Sequence, residues 1–243
     1  MTSTARFHLS GTADVRAGDQ VHLGGDEGRH AADVRRLRGG EPIDLTDGAG
    51  TLLHATVTEV HRGGLTAEVF DRRTVDRPAP RFTVVQALAK GGRDEQAVES
   101  MTEVGVDEVL GWPAERCVAR WTDRTSAKWA ATARAAAKQS QRSWWPEVSG
   151  PATTAAVAVR CHGATLAVVL HETASIRLAD LLMPADGEIV VVVGPEGGIS
   201  DRELDMFEAA GAVAVRLGDT VLRASTAGVA ALAVLCAATR WRG

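Results

Sequence analysis

Cysteine is scarce in this 243-residue chain. Cys117, Cys161 and Cys236 are odd in number and far apart, which excludes a CxxC metal site and argues against a disulfide framework. They read as buried thiols, and no metal is expected. Long apolar runs are also missing. No stretch approaches the ~20 residues that a bilayer-spanning helix needs. The opening MTSTARFHLS lacks the charged-then-apolar pattern of a secretory leader, so a cytoplasmic protein with no membrane partner is expected. Basic residues are not in excess. With 27 Lys+Arg against 31 Asp+Glu and a pI near 6.0, any site for a polyanion has to be local.

What is present is 45% hydrophobic content, enough for one core or for a core with a smaller satellite. From Pro42 to Phe70 the chain reads as PIDLTD, TLLHATVTEV and LTAEVF separated by DGAG and HRGG, a small antiparallel β unit. Ahead of it, Glu27 to Arg38 places His30, Val34 and Leu37 at helical spacing and stops at Gly39-Gly40, which predicts a short helix. The charged, proline-containing stretch from Asp71 to Arg81 reads as a linker. Beyond it, apolar strands (FTVVQALA, VDEVLGW, TLAVVL, EIVVVV, AVAVRL) alternate with helices, among them one at Asp94 to Val104, a long one after VDEVLGW and one at Ile176 to Met183. Continuous apolar strands of this kind belong to a parallel sheet covered on both faces, so the second domain is α/β.

Two loops stand out. In IVVVVGPEGGIS the strand ends before Gly194, and Ser200-Asp201-Arg202-Glu203 is a capping-box pattern opening a helix that lasts to about Gly211. The loop is thus at the carboxyl end of a strand, where open α/β sheets bind ligands. Its spacing is neither GxGxxG nor GK[ST], and Glu196 would repel a phosphate while suiting a cationic ligand. A bare turn, with the glycines serving only backbone geometry, is the other reading. The second loop follows AVAVRL and runs from Gly218 to Thr226, ahead of a helix from about Ala227 to Trp241 that Ser225 and Thr226 would cap. Arg223 sits near that helix N-terminus, where a cation is unfavourable, so either a partner such as Asp219 or Glu196 or a function has to hold it there.

At these loops the chain resembles the RsmE family of SPOUT-class RNA methyltransferases. VVGPEGGIS and LGDTVLRAST carry the resemblance, ESMTEVGVDEVLGWPAERCV, AAKQSQR and WPEV extend it, and HAADVRRLRGG with LTDGAG resembles the family's small RNA-binding domain. The resemblance implies a PUA-like β-barrel over residues 1–73, a linker at 74–81, and a SPOUT α/β domain with a trefoil knot over 82–243. It further implies a homodimer that uses S-adenosylmethionine to methylate N3 of one uridine, uridine 1498 in the family, in the 16S rRNA of the small ribosomal subunit. The cofactor site would then comprise Leu170, His171 and Glu172, the Gly194-Pro195-Glu196-Gly197-Gly198-Ile199 loop, and Leu217, Gly218, Val221, Leu222, Ser225 and Thr226. Ile199, Leu217 and Leu222 would cover the adenine faces. A sulfonium cation and an adenine, with no phosphate, are compatible with a glycine loop that carries Glu196. Arg223 is the candidate for stabilising charge on the uracil oxygens, and Glu196 the weaker candidate for the proton acceptor. The family's usual Thr-Glu pair after this arginine is replaced by Ala224-Ser225, so no carboxylate is available at position 225.

RNA would meet local basic surface. Residues 116–142 hold seven basic side chains, including Arg116, Arg134, Lys138 and Arg142, against the one acid Asp123. At helical spacing Arg124, Lys128, Arg134, Lys138 and Arg142 fall on one face, opposite Trp129, Ala133, Ala136 and Ala137. Arg6, His30, Arg35, Arg36 and Arg38 form a second candidate set in the N-terminal domain. For both sets the competing reading is a solvated face, and for His30 a packing residue. Trp144-Trp145 reads as packing before base stacking. The alternatives to the methyltransferase are a non-catalytic RNA-binding or ribosome-assembly factor and a SPOUT enzyme acting at another RNA position.

Overall fold

The computed structural model describes residues 4–242, so the first three residues of the opening read above, and Gly243, lie outside it. By its contacts the chain divides into two compact units, one running to Arg77 and including Lys138–Trp145, the other made of Pro78–Ala137 and the residues from Pro146 on.

In the first unit, β1 (Ala5–His8), β2 (Gln20–Leu23), β3 (Pro42–Thr46), β4 (Thr51–His61) and β5 (Gly64–Thr74) form a sheet in the order β1-β3-β4-β5-β2. Period-two alternation on each strand sends Phe7, Val21, Leu23, Ile43, Leu45, Leu53, Ala55, Val57, Leu65, Ala67 and Val69 into one shared core. Side chains from both edge strands reach that core, so the sheet curves around it in a barrel-like manner. The β1–β3 pairing is parallel and the others are antiparallel. The charged stretch expected to start the linker is partly strand: Asp71 to Thr74 pair with His54 to Thr51. β2 covers β5 only from Leu65 to Glu68, so this end of β5 is an edge that tolerates charge.

The predicted helix before this sheet is shorter and differently wound. α1 (Gly25–Arg29) passes into a π turn, His30–Val34, closed by Arg35 N–H to the His30 carbonyl at 2.8 Å, and Arg36 then adopts a left-handed φ of 55°. The wider turn breaks the expected spacing: Ala31 is fully buried, Val34 is 67% exposed and Leu37 packs from the following loop.

Residues 138–145 pack on the first unit through specific bonds. Trp145 N–H donates to the Gly48 carbonyl (2.9 Å), Trp144 Nε1 donates to the Val75 carbonyl (2.7 Å), and Arg77 lies 4.4 Å over the Trp144 ring. The His8 ring packs on Trp145 at 4.8 Å, tilted by 36°. Both tryptophans therefore pack.

The second unit carries β6 (Arg81–Ala87), β7 (Glu108–Trp112), β8 (Glu147–Ser149), β9 (Leu166–Leu170), β10 (Glu188–Val193) and β11 (Val213–Val215). All pairings are parallel, in the order β11-β9-β10-β6-β7-β8, so β10 is laid between β9 and the earlier β6. The unbroken apolar run of β10 follows from burial on both faces. Ile189, Val191 and Val193 face a core built with α2 (Arg93–Val104), α3 (Asp123–Gln139) and α6 (Ala224–Ala238), whereas Val190 and Val192 face one built with α4 (Thr154–Gly163) and α5 (Asp201–Ala209).

The buried stripe of α3 is Trp129, Ala133, Ala136 and Ala137, as the helical spacing predicts. The helix ends at Gln139, and Gln141 has φ of 56°, so Arg142 is not on the basic face. The expected helix at 176–183 is only a single 3₁₀ turn, Leu178–Asp180, because this segment runs beside Arg216: Leu178 N–H donates to its carbonyl, and its own N–H donates to that of Ile176, each at 2.9 Å. At the amino ends of the strands, Arg81 and Arg160 bridge Glu108 and Glu188. Burial alone would raise the Glu108 carboxyl pKa, but bonds from Arg81 and Ser149 and the Arg160 charge hold it below the usual range. Cys161 and Cys236 are buried and Cys117 half-buried; burial pushes the Cys161 thiol up to about 11.

Candidate active site

The two loops singled out in the sequence meet at the carboxyl ends of β9, β10 and β11. The first wall is the loop after β10. Gly194 has no room for a side chain, since a Cβ there would lie 2.7 Å from Ile199 Cγ1. Gly198 turns the chain at φ of +75°, its N–H donating to the Pro195 carbonyl at 2.9 Å. Ser200 then starts α5 with the complete capping box: its hydroxyl accepts from Glu203 N–H while the Glu203 carboxylate accepts from Ser200 N–H. Such a cap contributes about 1 kcal/mol and fixes where loop becomes helix.

The second wall follows β11. Arg216 Nη1 pairs with Asp219 at 2.9 Å, closing the turn. Arg223 is the N-cap of α6, its carbonyl accepting from the N–H groups of Thr226 and Ala227. The helix therefore begins at Ala224, and Ser225 and Thr226 lie inside its first turn instead of capping it. Arg223 pairs with neither expected partner, because Asp219 is taken by Arg216 and Glu196 faces Arg93 Nη1 at 3.6 Å. Its guanidinium makes no hydrogen bond or ion pair with any described residue.

Between the walls is a cavity of about 320 Å³. Leu170, His171, Glu172, Gly194, Pro195, Glu196, Gly198, Ile199, Leu217, Gly218, Val221 and Leu222 line it, and so do both candidate catalytic residues, Arg223 and Glu196. Gly197, Ser225 and Thr226 do not. Sequence reasoning missed Val193, Val215, Arg216, Thr220, Ala224 and Ala227. Val193 and Val215 were detectable as the last residues of their strands, and Ala224 and Ala227 as one helical face below Arg223. Apolar Leu170, Ile199, Leu217 and Leu222 offer flat contacts for a ring, and the size falls in the range of small-molecule sites. Two carboxylates, Glu172 and Glu196, are poorly suited to a phosphate and well suited to a ligand with a cationic centre. These residues fit S-adenosylmethionine.

The candidate RNA contacts divide. In the first unit Arg6 is only 10% exposed in its side chain and is bound to Asp44 and the Gln141 carbonyl, so it is an internal tie. Lys138 is ion-paired with Glu27. His30, Arg35, Arg36 and Arg38 are exposed, and the three arginine side chains make no ion pair with a described residue. Arg134 is exposed on α3, and Arg142 is half-buried. Arg116 is turned to other work: its Nη1 donates to the carbonyls of Gly197 and Ile199, each at 3.3 Å.

Comparison with known proteins gives consistent results. A family model described as an RNA methyltransferase domain matches residues 77–236, and one described as an RNA methyltransferase PUA domain matches residues 23–70. The ribosomal RNA small subunit methyltransferase E of Mycobacterium bovis is 47% identical over 89% of this chain and 86% of its own length. Among solved structures, a ribosomal RNA small subunit methyltransferase E from Neisseria gonorrhoeae, bound to S-adenosyl methionine, superposes with a TM-score of 0.86 at 29% identity, covering 97% of this chain and 98% of that one. A methyltransferase of Legionella pneumophila in complex with the same cofactor gives 0.85 at 28%, covering 98% of both chains.

Proposed function

Because this chain belongs to the family of ribosomal RNA small subunit methyltransferase E, we propose that it transfers a methyl group from S-adenosylmethionine to N3 of one uridine in 16S rRNA. The observation that carries the reading is the unpaired Arg223 guanidinium at the edge of a cavity walled by two loops and lined with carboxylates. The cofactor supplies an electrophilic methyl on a sulfonium. The lining residues of the loops after β10 and β11 bind and enclose it, the apolar side chains of Ile199, Leu217 and Leu222 excluding water. Uridine N3 has to lose its proton, and the charge that develops spreads onto the flanking carbonyl oxygens. Arg223 offers paired donors to those oxygens. Glu196, held by Arg93 at the loop's edge, is the proposed proton acceptor. Calorimetric titration tests the pocket: S-adenosylmethionine is expected to bind, and neither ATP nor NAD to displace it. Displacement by either nucleotide would return the loop to an anion-binding role.

In this reading the loops after β10 and β11 form the knotted part of the chain, and a second copy completes the site. Val221, 78% exposed at the rim of the cavity, and Trp241, 59% exposed just after α6, are among the exposed apolar residues that a second copy would cover. No helix of the described residues is long and apolar enough to cross a membrane, and the proposed place of action is the cytoplasm, where ribosomal subunits are made.

RNA is received in part by Arg35, Arg36 and Arg38 on the PUA-like unit. Reversing Arg35 and Arg36 to glutamate is expected to weaken RNA binding and to lower the slope of log affinity against log salt by about two, with cofactor affinity unchanged. An unchanged slope would remove them from the interface.

A further inference from the structure

The segment between β7 and α3 was read from sequence as a source of RNA contacts, yet three consecutive residues in it each bond to the framework of the cavity. Glu115 N–H donates to the Glu203 carboxylate at 2.8 Å, and the Glu115 carboxylate accepts from the Ser200 hydroxyl at 2.9 Å. Arg116 spans the carbonyls of Gly197 and Ile199, and its Cβ lies against Gly197, where an added Cβ would come within 3.2 Å. Cys117 Sγ donates to the Leu88 carbonyl at 3.4 Å, just past the end of β6. Burial raises the Cys117 thiol, which keeps it protonated as a donor. The three residues thus tie the end of β6, the glycine loop and the α5 N-terminus together. Within the tie, Arg116 alone reaches the loop itself.

Three of the loop's six residues are glycines, with no side chain to fix the backbone, and the bonds from Arg116 hold two of its carbonyls in place. Ile199, whose carbonyl Arg116 holds, is also one of the buried residues that line the wall. Arg116 Nη1 is one charged donor shared by two carbonyls at 3.3 Å each, longer than a typical charge-assisted bond, and Arg116 is not among the residues that line the cavity. We infer that Arg116 is a positioning residue for S-adenosylmethionine, holding the Gly194–Ile199 loop in its binding shape, and not an RNA contact. This rests on the cofactor reading given above.

The test separates the two roles by what each variant keeps. Arg116→Ala removes both carbonyl bonds. It is expected to raise KM and Kd for S-adenosylmethionine about tenfold, equivalent to about 1.4 kcal/mol, with kcat at saturating cofactor, RNA affinity and its salt slope unchanged. Arg116→Lys keeps the charge but loses the guanidinium's reach, and is expected to show the same rise in KM. Arg116 is exposed, so both variants should fold, and thermal unfolding checks that they do. Unchanged cofactor affinity, with a salt slope lowered by about one in Arg116→Ala and restored in Arg116→Lys, would overturn the inference and make Arg116 a phosphate contact. Failure of the unaltered protein to bind S-adenosylmethionine would instead overturn the underlying reading of the cavity, and this inference with it.

Discussion

Replacing Arg223 by alanine is expected to lower kcat by about 10²- to 10³-fold, the cost found when one donor to a developing oxyanion is removed. Cofactor affinity should stay within a few-fold. The expectation follows from where the side chain is and what it lacks. Arg223 caps α6, at the positive end of the helix dipole, where a cation costs about 0.3–1 kcal/mol. It has no carboxylate to offset that cost, since Asp219 and Glu196 are engaged by Arg216 and Arg93. A residue in so poor an electrostatic position contributes nothing evident to folding, so the alanine variant should be at least as stable as the parent in thermal unfolding. Arg223→Lys should recover only part of the rate, because an ammonium is a point charge without the paired donors. Loss of cofactor binding with kcat retained would reassign Arg223 to cofactor placement.

Gly194→Val is expected to weaken S-adenosylmethionine binding by about 10²-fold or more while leaving both units folded. A Cβ at this position would sit 2.7 Å from Ile199 Cγ1, so Ile199 has to leave its place in the wall or the loop has to open. Either movement deforms the surface that covers the ring, and overpacking of this kind costs about 1–3 kcal/mol even before any ligand contact is lost. Gly218 is the internal control. It lines the same cavity, but a Cβ there meets nothing within 4 Å, so Gly218→Ala should be close to neutral for stability. Titration calorimetry on both variants distinguishes a loop that has to stay closed from one that tolerates bulk.

How much of this was readable in the chain depends on the range of the interactions. The five consecutive β-branched residues of β10 and the Trp129, Ala133, Ala136 and Ala137 stripe of α3 are local periodicities, and both stand in the structure as read. The capping box at Ser200 and Glu203 is equally local. Short elements were lost: β1, β2 and β8 have three or four residues, too few for alternation to register. α4 escaped because its AAVAV run alternates like a strand while its helical face, Val157, Ala158 and Cys161, is narrow. The π turn at His30 shifted a spacing that assumes 3.6 residues per turn. α6 starts three residues before the position expected from Ser225 and Thr226, because backbone bonds to the Arg223 carbonyl set its start without a side-chain cap. The site itself was visible as two loops with unusual residues, and the family resemblance joined them. Contacts such as Arg116 with Gly197, 81 positions apart, leave no periodic trace, so nothing in the chain marks this basic residue as bonded to the loop.

The most direct test of the central claim is transfer of labelled methyl from S-adenosylmethionine to small ribosomal subunits that lack the modification, followed by nucleoside analysis of the 16S rRNA. The account predicts label in N3-methyluridine, at one site per subunit, and its near disappearance with the Arg223→Ala variant. Label in another nucleoside, or in a ribose 2′-O-methyl group, would contradict the assignment to uridine N3, and absence of label together with absence of cofactor binding would contradict the enzyme itself.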